Sequence, residues 1–380
     1  MTDALHHRLQ KELEQRRQEH LLRVLEVQDT FRLNLCNNDY FQLRSHPDVL
    51  AGARESLERY GAGSGASPLL SGFLACHESL IRQLMAWKNK SAGLLFNTGF
   101  MANQAVLKNL PGPKDMVLVD RLAHHSVVQA LRAGKAPFKR YQHLNLNHLE
   151  ELIIQNRKKA ETIFVVTESV FSMDGDYPDL TRLARLKSEY GFIWILDEAH
   201  GTGIFGETGG GLAEEMGVLK DVDLLVGTLG KVLASMGAYV LSDSKTLIDY
   251  LTNYSGELIY STYLAPASVG AAAAALEIVK NSKEQRKHVR RMAARLRKGL
   301  TQEGWQTNEF DSQIVPLIVK DPKYTVEIRN KLLDHGILTG AVRPPTVPQN
   351  SSRIRFSLHS GVSEQDVEDI LRVLSQWRGQ

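Results

Sequence analysis

Several features that would settle a protein's class at once are scarce or missing here. Cysteine occurs twice in 380 residues, as Cys36 and Cys76. That is neither a metal-ligand spacing nor a disulfide framework, and it suits a reducing compartment. No apolar run approaches the roughly 18 residues that a membrane-crossing helix needs. Residues 1–20 are rich in Lys, Arg, Glu and Gln, without an apolar signal core, so a cytoplasmic protein with no membrane partner is expected. The formal net charge of +3 is too small to make nucleic acid the expected partner, although it would help attract a polyanion such as a coenzyme A tail. Internal repeats and low-complexity stretches are missing too, and no metal is expected.

What is present suffices for a deep core. Hydrophobic residues make up 43% and charged residues 23%, the ordinary range for a globular protein, and the length allows one large domain and a smaller one. Residues 5–27 have the pattern of a charged amphipathic helix, with Leu9, Leu13 and Leu21 among the apolar positions. Short Val/Ile/Leu-rich runs then recur at 93–96, 115–119, 162–167, 192–196, 224–227 and 238–241. Brief apolar runs of this kind suit strands buried on both faces of a parallel sheet. Helical patterns at 77–88, 101–110, 149–159 and 180–190 fall between them, and the alternation predicts a doubly wound α/β domain. Beyond an Ala-rich helix at 266–280 and a basic one at 283–300, strands at 314–319 and 353–358 alternate with helices at 326–335 and from 363. Ser363 with Asp366 has the spacing of an N-terminal cap. The expected organisation is an N-terminal helix and arm over 1–44, a large domain over 45–275 and a C-terminal α+β domain over 276–380.

Three motifs compete for the chemistry. Gly201-Thr202-Gly203-Ile204-Phe205-Gly206 fits GxGxxG after a strand, which would make a nicotinamide oxidoreductase. A dinucleotide site needs a helix opening at those glycines, yet Glu207-Thr208-Gly209-Gly210-Gly211 follows and cannot propagate one. Asp197-Glu198-Ala199-His200 spells a helicase DEAH, but no phosphate-cradling GxxxxGK[ST] lies upstream. The third possibility takes Asp197 and Lys231 together, each at or just after the carboxyl end of a predicted strand, where open α/β sheets gather functional groups. An acid and a primary amine delivered there suit pyridoxal-5'-phosphate (PLP): the amine bonds the cofactor, and the carboxylate keeps its pyridine nitrogen protonated. The plain alternatives are a solvated lysine and a turn-capping aspartate.

Strings over nearly the whole chain resemble the α-oxoamine synthases. They include Asn37-Asn38-Asp39-Tyr40, Gly63-Ser64-Gly65, Asn97-Thr98-Gly99-Phe100, Asp120-Arg121-Leu122-Ala123-His124 and Thr167-Glu168-Ser169-Val170-Phe171-Ser172. Asp197-Glu198-Ala199-His200-Gly201 and Gly227-Thr228-Leu229-Gly230-Lys231 continue the series. The resemblance implies PLP fold type I, aspartate aminotransferase-like, with a large doubly wound, mostly parallel sheet domain and a smaller C-terminal α+β domain. It implies Lys231 as Schiff-base lysine and proton-abstracting base, Asp197 at the pyridine nitrogen, His200 at the phenolic oxygen, and His124 stacked on the ring, with His125 the less favoured neighbour. Thr98, Gly99, Phe100 and Thr228 would hold the phosphate, with Ser261 and Thr262 reaching it from the second subunit of a homodimer. Glu168 and Ser172 match positions around the ring and its oxygen. Asn38 and Arg355, with Arg353 as competitor, match the site of the amino-acid carboxylate.

Val342-Arg343-Pro344-Pro345-Thr346-Val347-Pro348 favours the members that join L-alanine to a pimeloyl thioester, on coenzyme A or acyl carrier protein. Arg343 and Thr346 are the substrate-binding candidates there. A member using glycine or serine with another acyl-CoA, such as a 2-amino-3-oxobutyrate CoA ligase, is the alternative. Two departures stand out: Pro68-Leu69-Leu70 where relatives often carry Arg, and Ala234 where a glycine is frequent.

Overall fold

The computed structural model describes residues 3–27 and 31–377. Residues 1–2, 28–30 and 378–380, which belong to the expected arm and C-terminal domain, lie outside that range. In chain order the strands begin with β1 (Leu33–Asn34), β2 (Ala92–Phe96), β3 (Met116–Asp120), β4 (Phe138–Tyr141), β5 (Ile163–Glu168) and β6 (Ile193–Asp197). They continue with β7 (Leu224–Thr228), β8 (Ala238–Ser242), β9 (Ile314–Lys320), β10 (Ile337–Leu338), β11 (Gly340–Val342) and β12 (Ser352–Ser357).

One compact unit spans 38–172 and 177–287. Its seven-stranded sheet runs β2-β8-β7-β6-β5-β3-β4. Strands β3 to β7 pair in parallel, and β8 is antiparallel to both its neighbours. Every residue of β5 and β8 is buried, as strands covered on both faces require. The helices start and stop on local chemistry. Thr98 caps Gly99–Asn109 by accepting from the Met101 amide at 3.1 Å; Asp179 caps Leu180–Tyr190, which Gly191 ends in a left-handed turn. Helices Pro47–Tyr60 and Pro266–Lys280 touch through Gly52 and Gly270, where a methyl on Gly52 would lie 2.7 Å from the Gly270 carbonyl oxygen.

The second unit comprises the chain up to Asn37, residues 173–176, and 288 onward. It holds an antiparallel sheet, β11-β12-β9, and a short parallel β1–β10 pair. The Ser363/Asp366 pair forms a reciprocal cap on helix Glu364–Ser375. These boundaries differ from the sequence expectation at 45 and 276, because side chains far apart in the chain tie the pieces together. Arg353 and Asn308 both bond Asp174, and Arg32 pairs with Asp366. The N-terminal helix is also shorter than expected, covering Asp3–Gln18 with no buried residue. It ends where His20 takes φ +56°. Among the described residues, no helix is long and apolar enough to cross a membrane.

Candidate active site

Three neighbouring parallel strands, β5, β6 and β7, end in Glu168, Asp197 and Thr228. Those ends, the first turn of helix Gly99–Asn109 and the loop after β7 line a cavity of about 170 Å³. Lys231, His124, His200, Asn103 and Ser126 line it too.

Both Asp197 oxygens accept hydrogen bonds from N–H groups: Oδ2 from Asn103 Nδ2 at 3.0 Å and Oδ1 from the Ala199 amide at 2.9 Å. Asn103 also bonds Ser126 Oγ at 3.0 Å, and that hydroxyl lies 2.8 Å from His124 Nδ1. A continuous chain of bonds therefore links Asp197 to His124. Burial lowers the His124 pKa; the Asp197 charge opposes this and the Lys231 charge adds to it. Glu168 accepts the His124 amide at 2.6 Å. Burial, and then the Asp197 charge, push its pKa up to about 8.

A carboxyl raised in this way stays protonated in the folded chain at neutral pH. The unfolded chain gives up that proton near the ordinary Glu value, so stability falls as pH rises from there towards 8. Glu168→Gln copies the protonated shape and should escape the fall. In cofactor-free protein the variant is expected to gain thermal stability over the parent between pH 5 and 8. A constant difference between the two melting temperatures across that range would show that Glu168 is already ionised at pH 5.

The cavity therefore brings together half of the residues marked in the sequence: Gly99, Phe100, His124, Glu168, Asp197, His200, Thr228 and Lys231. Thr98 stands directly beside it as the helix cap, whereas His125 faces Gln129 outside. Ser172, Asn38, Ser261 and Thr262 are not among the lining residues. Ser261 Oγ and the Thr262 carbonyl instead accept from Asn97 Nδ2 at 3.0 and 2.7 Å. In the second unit Arg353 bonds Asp174 and the Ser351 carbonyl, while Arg355 is buried in β12. Arg343 donates to the His20 carbonyl, and Thr346 Oγ1 accepts from Arg23 at 2.7 Å. Asn103, Ser126 and Arg23 escaped notice in the sequence. Asn103 shares its helix with Gln104, Lys108 and Asn109, so its polarity gave no signal, and neither did that of Ser126 or Arg23.

The donor set fits PLP. A carboxylate held between two N–H donors is acceptor-only and suits a pyridinium proton, a lysine lines the same cavity, and the N-terminus of helix Gly99–Asn109 offers amides for a phosphate. By contrast, the Gly201–Gly206 segment is no nucleotide cradle. A methyl on Gly201 or Gly211 would strike the Glu198 carboxylate at 2.2 and 2.4 Å, and one on Gly206 would strike Glu214 at 2.0 Å. At Gly203, with φ +83°, it would meet Val232 at 2.4 Å. The glycines admit the chain's own side chains. Ala234, three residues after Lys231, has φ +49°, which explains why glycine is frequent there.

Beneath this loop Glu198 accepts the Ala213 and Leu212 amides at 2.8 and 3.2 Å. Lys88, with no exposed surface, donates to Thr202 Oγ1 at 2.9 Å and to the Gly210 carbonyl at 2.5 Å. Burial raises the Glu198 pKa and lowers that of Lys88 to about 8, each opposed by the other's charge. Removing one member leaves an uncompensated buried charge, so Lys88→Met should cost roughly 3 kcal/mol or more. A double-mutant cycle with Glu198→Gln, read by urea unfolding, should give a coupling above about 1 kcal/mol. A coupling near zero would mean that the two charges do not stabilise each other.

A mostly parallel sheet that delivers an acid and a lysine to one cavity at its strand ends defines a PLP enzyme of fold type I. The family pattern described as aminotransferase class I and II matches residues 32–374. An 8-amino-7-oxononanoate synthase from Geobacter sulfurreducens is 40% identical over 344 residues, 90% of this chain and 88% of that protein. Another from Aeromonas salmonicida is 38% identical over 93% of this chain and 88% of its own. The solved structure of a serine palmitoyltransferase from S. paucimobilis with bound PLP–myriocin superposes with a TM-score of 0.90 at 25% identity, covering 97% of this chain and 96% of that one. The chain belongs to the aminotransferase class I and II family.

Proposed function

We propose that the protein condenses L-alanine with a pimeloyl thioester to give 8-amino-7-oxononanoate, a step of biotin biosynthesis. The observation that carries this is the Lys231, Asp197, His124 and His200 constellation in one cavity, in a chain whose relatives at about 40% identity are 8-amino-7-oxononanoate synthases. A bond forms between alanine Cα and the thioester carbonyl, the thiol leaves, the alanine carboxylate departs as CO2, and a proton returns to Cα.

Bound PLP would supply a carbonyl for the substrate amine and a ring that accepts carbanion electrons. Lys231 is assigned the removal of the Cα proton, and Asp197 the retention of the proton on the pyridine nitrogen. His124 would lie on the ring face and His200 at the phenolic oxygen, with Glu168 and Ser172 nearby. Thr98, Gly99, Phe100 and Thr228 would hold the phosphate. Arg355 and Asn38 are assigned the alanine carboxylate because they match the family positions for it, a guanidinium fork pairing well with a carboxylate; Arg343 and Thr346 are assigned the acyl substrate.

A homodimer belongs to this proposal, with Ser261 and Thr262 serving the partner's phosphate site. Leu70 and Tyr260 are 83% and 87% exposed, and Phe73, Phe100 and Met236 are exposed too; apolar surface of this kind calls for a cover. Sedimentation of the purified protein tests the dimer, and a stable monomer with full activity would remove it.

Along the basic helix Lys283–Gln302 several cations pair with acids within the chain. Lys283 pairs with Glu207, Arg290 with Asp311, and Arg295 with Glu364 and Glu368. The deciding assay offers pimeloyl-CoA and pimeloyl-acyl carrier protein, each with alanine, glycine and serine, and follows thiol release. Alanine with a pimeloyl thioester should be the preferred pair; a preference for glycine or serine would overturn the proposal.

A further inference from the structure

His200 reaches the cavity from a turn, and a side chain far away in sequence meets its imidazole. The Tyr40 hydroxyl lies 2.6 Å from His200 Nδ1, with Tyr40 wholly buried and His200 only 6% exposed. Tyr40 is turned inward by its own neighbours. The Asp39 carboxylate accepts the Leu43 and Arg44 amides at 2.8 and 3.1 Å. That closes the chain into the 3-10 turn Leu43–Ser45.

A phenol carries one proton, and the acceptors near it include His200 Nδ1 at 2.6 Å and Asn38 Oδ1 at 3.4 Å. If the proton goes to Asn38, the hydroxyl spends itself on the longer contact and the imidazole must place its own proton on Nδ1. If it goes to His200, a good acceptor takes the proton of the weaker base over the short contact, and the imidazole proton is left on Nε2. A neutral imidazole has only these two forms, and the partner of one nitrogen decides the state of the other.

We propose that Tyr40 is a positioning residue that fixes His200 in its Nε2–H form, so that the ring presents a donor for an oxygen anion of the bound cofactor. The proposal rests on the PLP assignment of the cavity, and it concerns a property that the chain has before any cofactor binds. Without the hydroxyl, His200 populates both forms, and the Nδ1–H form turns a lone pair towards that oxygen.

The test is 15N NMR of histidine-labelled apoprotein, with His200 assigned through His200→Asn. In the parent, the His200 nitrogens should show the Nε2–H pattern, with Nδ1 as hydrogen-bond acceptor. In Tyr40→Phe, which keeps the ring and its packing, the two nitrogen shifts should move together towards a mixed population. Turnover of the loaded variant should fall about tenfold in kcat with little change in KM for alanine, as expected for one lost hydrogen bond. An Nδ1–H pattern in the parent protein would overturn the proposal without any variant. So would identical shifts in parent and Tyr40→Phe. Neither result depends on PLP binding, whereas a parent protein that binds no PLP would sink the cofactor assignment and leave the tautomer standing.

Discussion

Replacing Lys231 with alanine is expected to lower turnover on the order of 10⁴-fold and to abolish the visible absorbance of covalently held cofactor. The loss should be chemical, because the loop that carries Lys231 is held by bonds its side chain does not make. Thr228 Oγ1 accepts the Gly230 amide at 3.0 Å and donates to the Gly237 carbonyl at 3.1 Å. The Leu229 amide bonds the Gly237 carbonyl, and the Ser235 amide bonds the Leu229 carbonyl, both at 2.9 Å. Val232 is seated against Gly203, and that packing also survives. The variant should therefore melt within a few degrees of the parent while losing both its colour and its reaction. Absorbance at visible wavelengths and single-turnover kinetics measure the two properties separately. Retention of either to within tenfold would take Lys231 out of the chemistry.

Much of the large unit was legible because its strands are buried on both faces, so a bare apolar run was enough to find them. Six of the seven strands of that sheet coincide with such runs to within a residue or two. The seventh, β4, was invisible because Phe138-Lys139-Arg140-Tyr141 lies at the sheet edge with its two central residues exposed. Helix His125–Ala133 was missed for a related reason, since its cap is the His124 imidazole, a residue that does not advertise a helix start. The site divides along the same line. Asp197 could be found because a parallel strand delivers its last residue to the functional edge of the sheet, whereas Glu168 and Thr228, which end the neighbouring strands, were reached only through the family strings that contain them. The groups that orient them could not, because Asn103, Ser126 and Tyr40 come from other elements and meet the site only through tertiary hydrogen bonds. The glycine-rich segment lacks the helix that a dinucleotide site needs, as its sequence already indicates. Its spacing matches a phosphate cradle, but the vacant space belongs to Glu198, Glu214 and Val232.

Asp197→Asn should be nearly as damaging as loss of the lysine, with kcat down roughly 10³-fold. Two effects act together. The first is the missing charge: a neutral amide cannot hold a proton on a pyridine nitrogen as a carboxylate can. The second is geometric and follows from the two donors already aimed at this residue. Asn103 Nδ2 and the Ala199 amide each give a proton to a different Asp197 oxygen, so an amide placed there must turn its NH2 towards one N–H or the other. Whichever way it turns, one donor is left unsatisfied in a buried site, and the bond chain through Ser126 to His124 is the side free to yield. Asp197→Glu keeps the charge but not the reach, and Asn103→Ala keeps the charge and removes one of the two donors. If charge dominates, Asn103→Ala should retain most activity, on the order of a tenth, while Asp197→Asn retains about a thousandth. Measuring kcat and PLP affinity for both variants separates the contributions. Equal losses in the two would mean that the network, and not the carboxylate's charge, sets the rate, and an Asp197→Asn enzyme within tenfold of the parent would remove the ion pair from the account altogether.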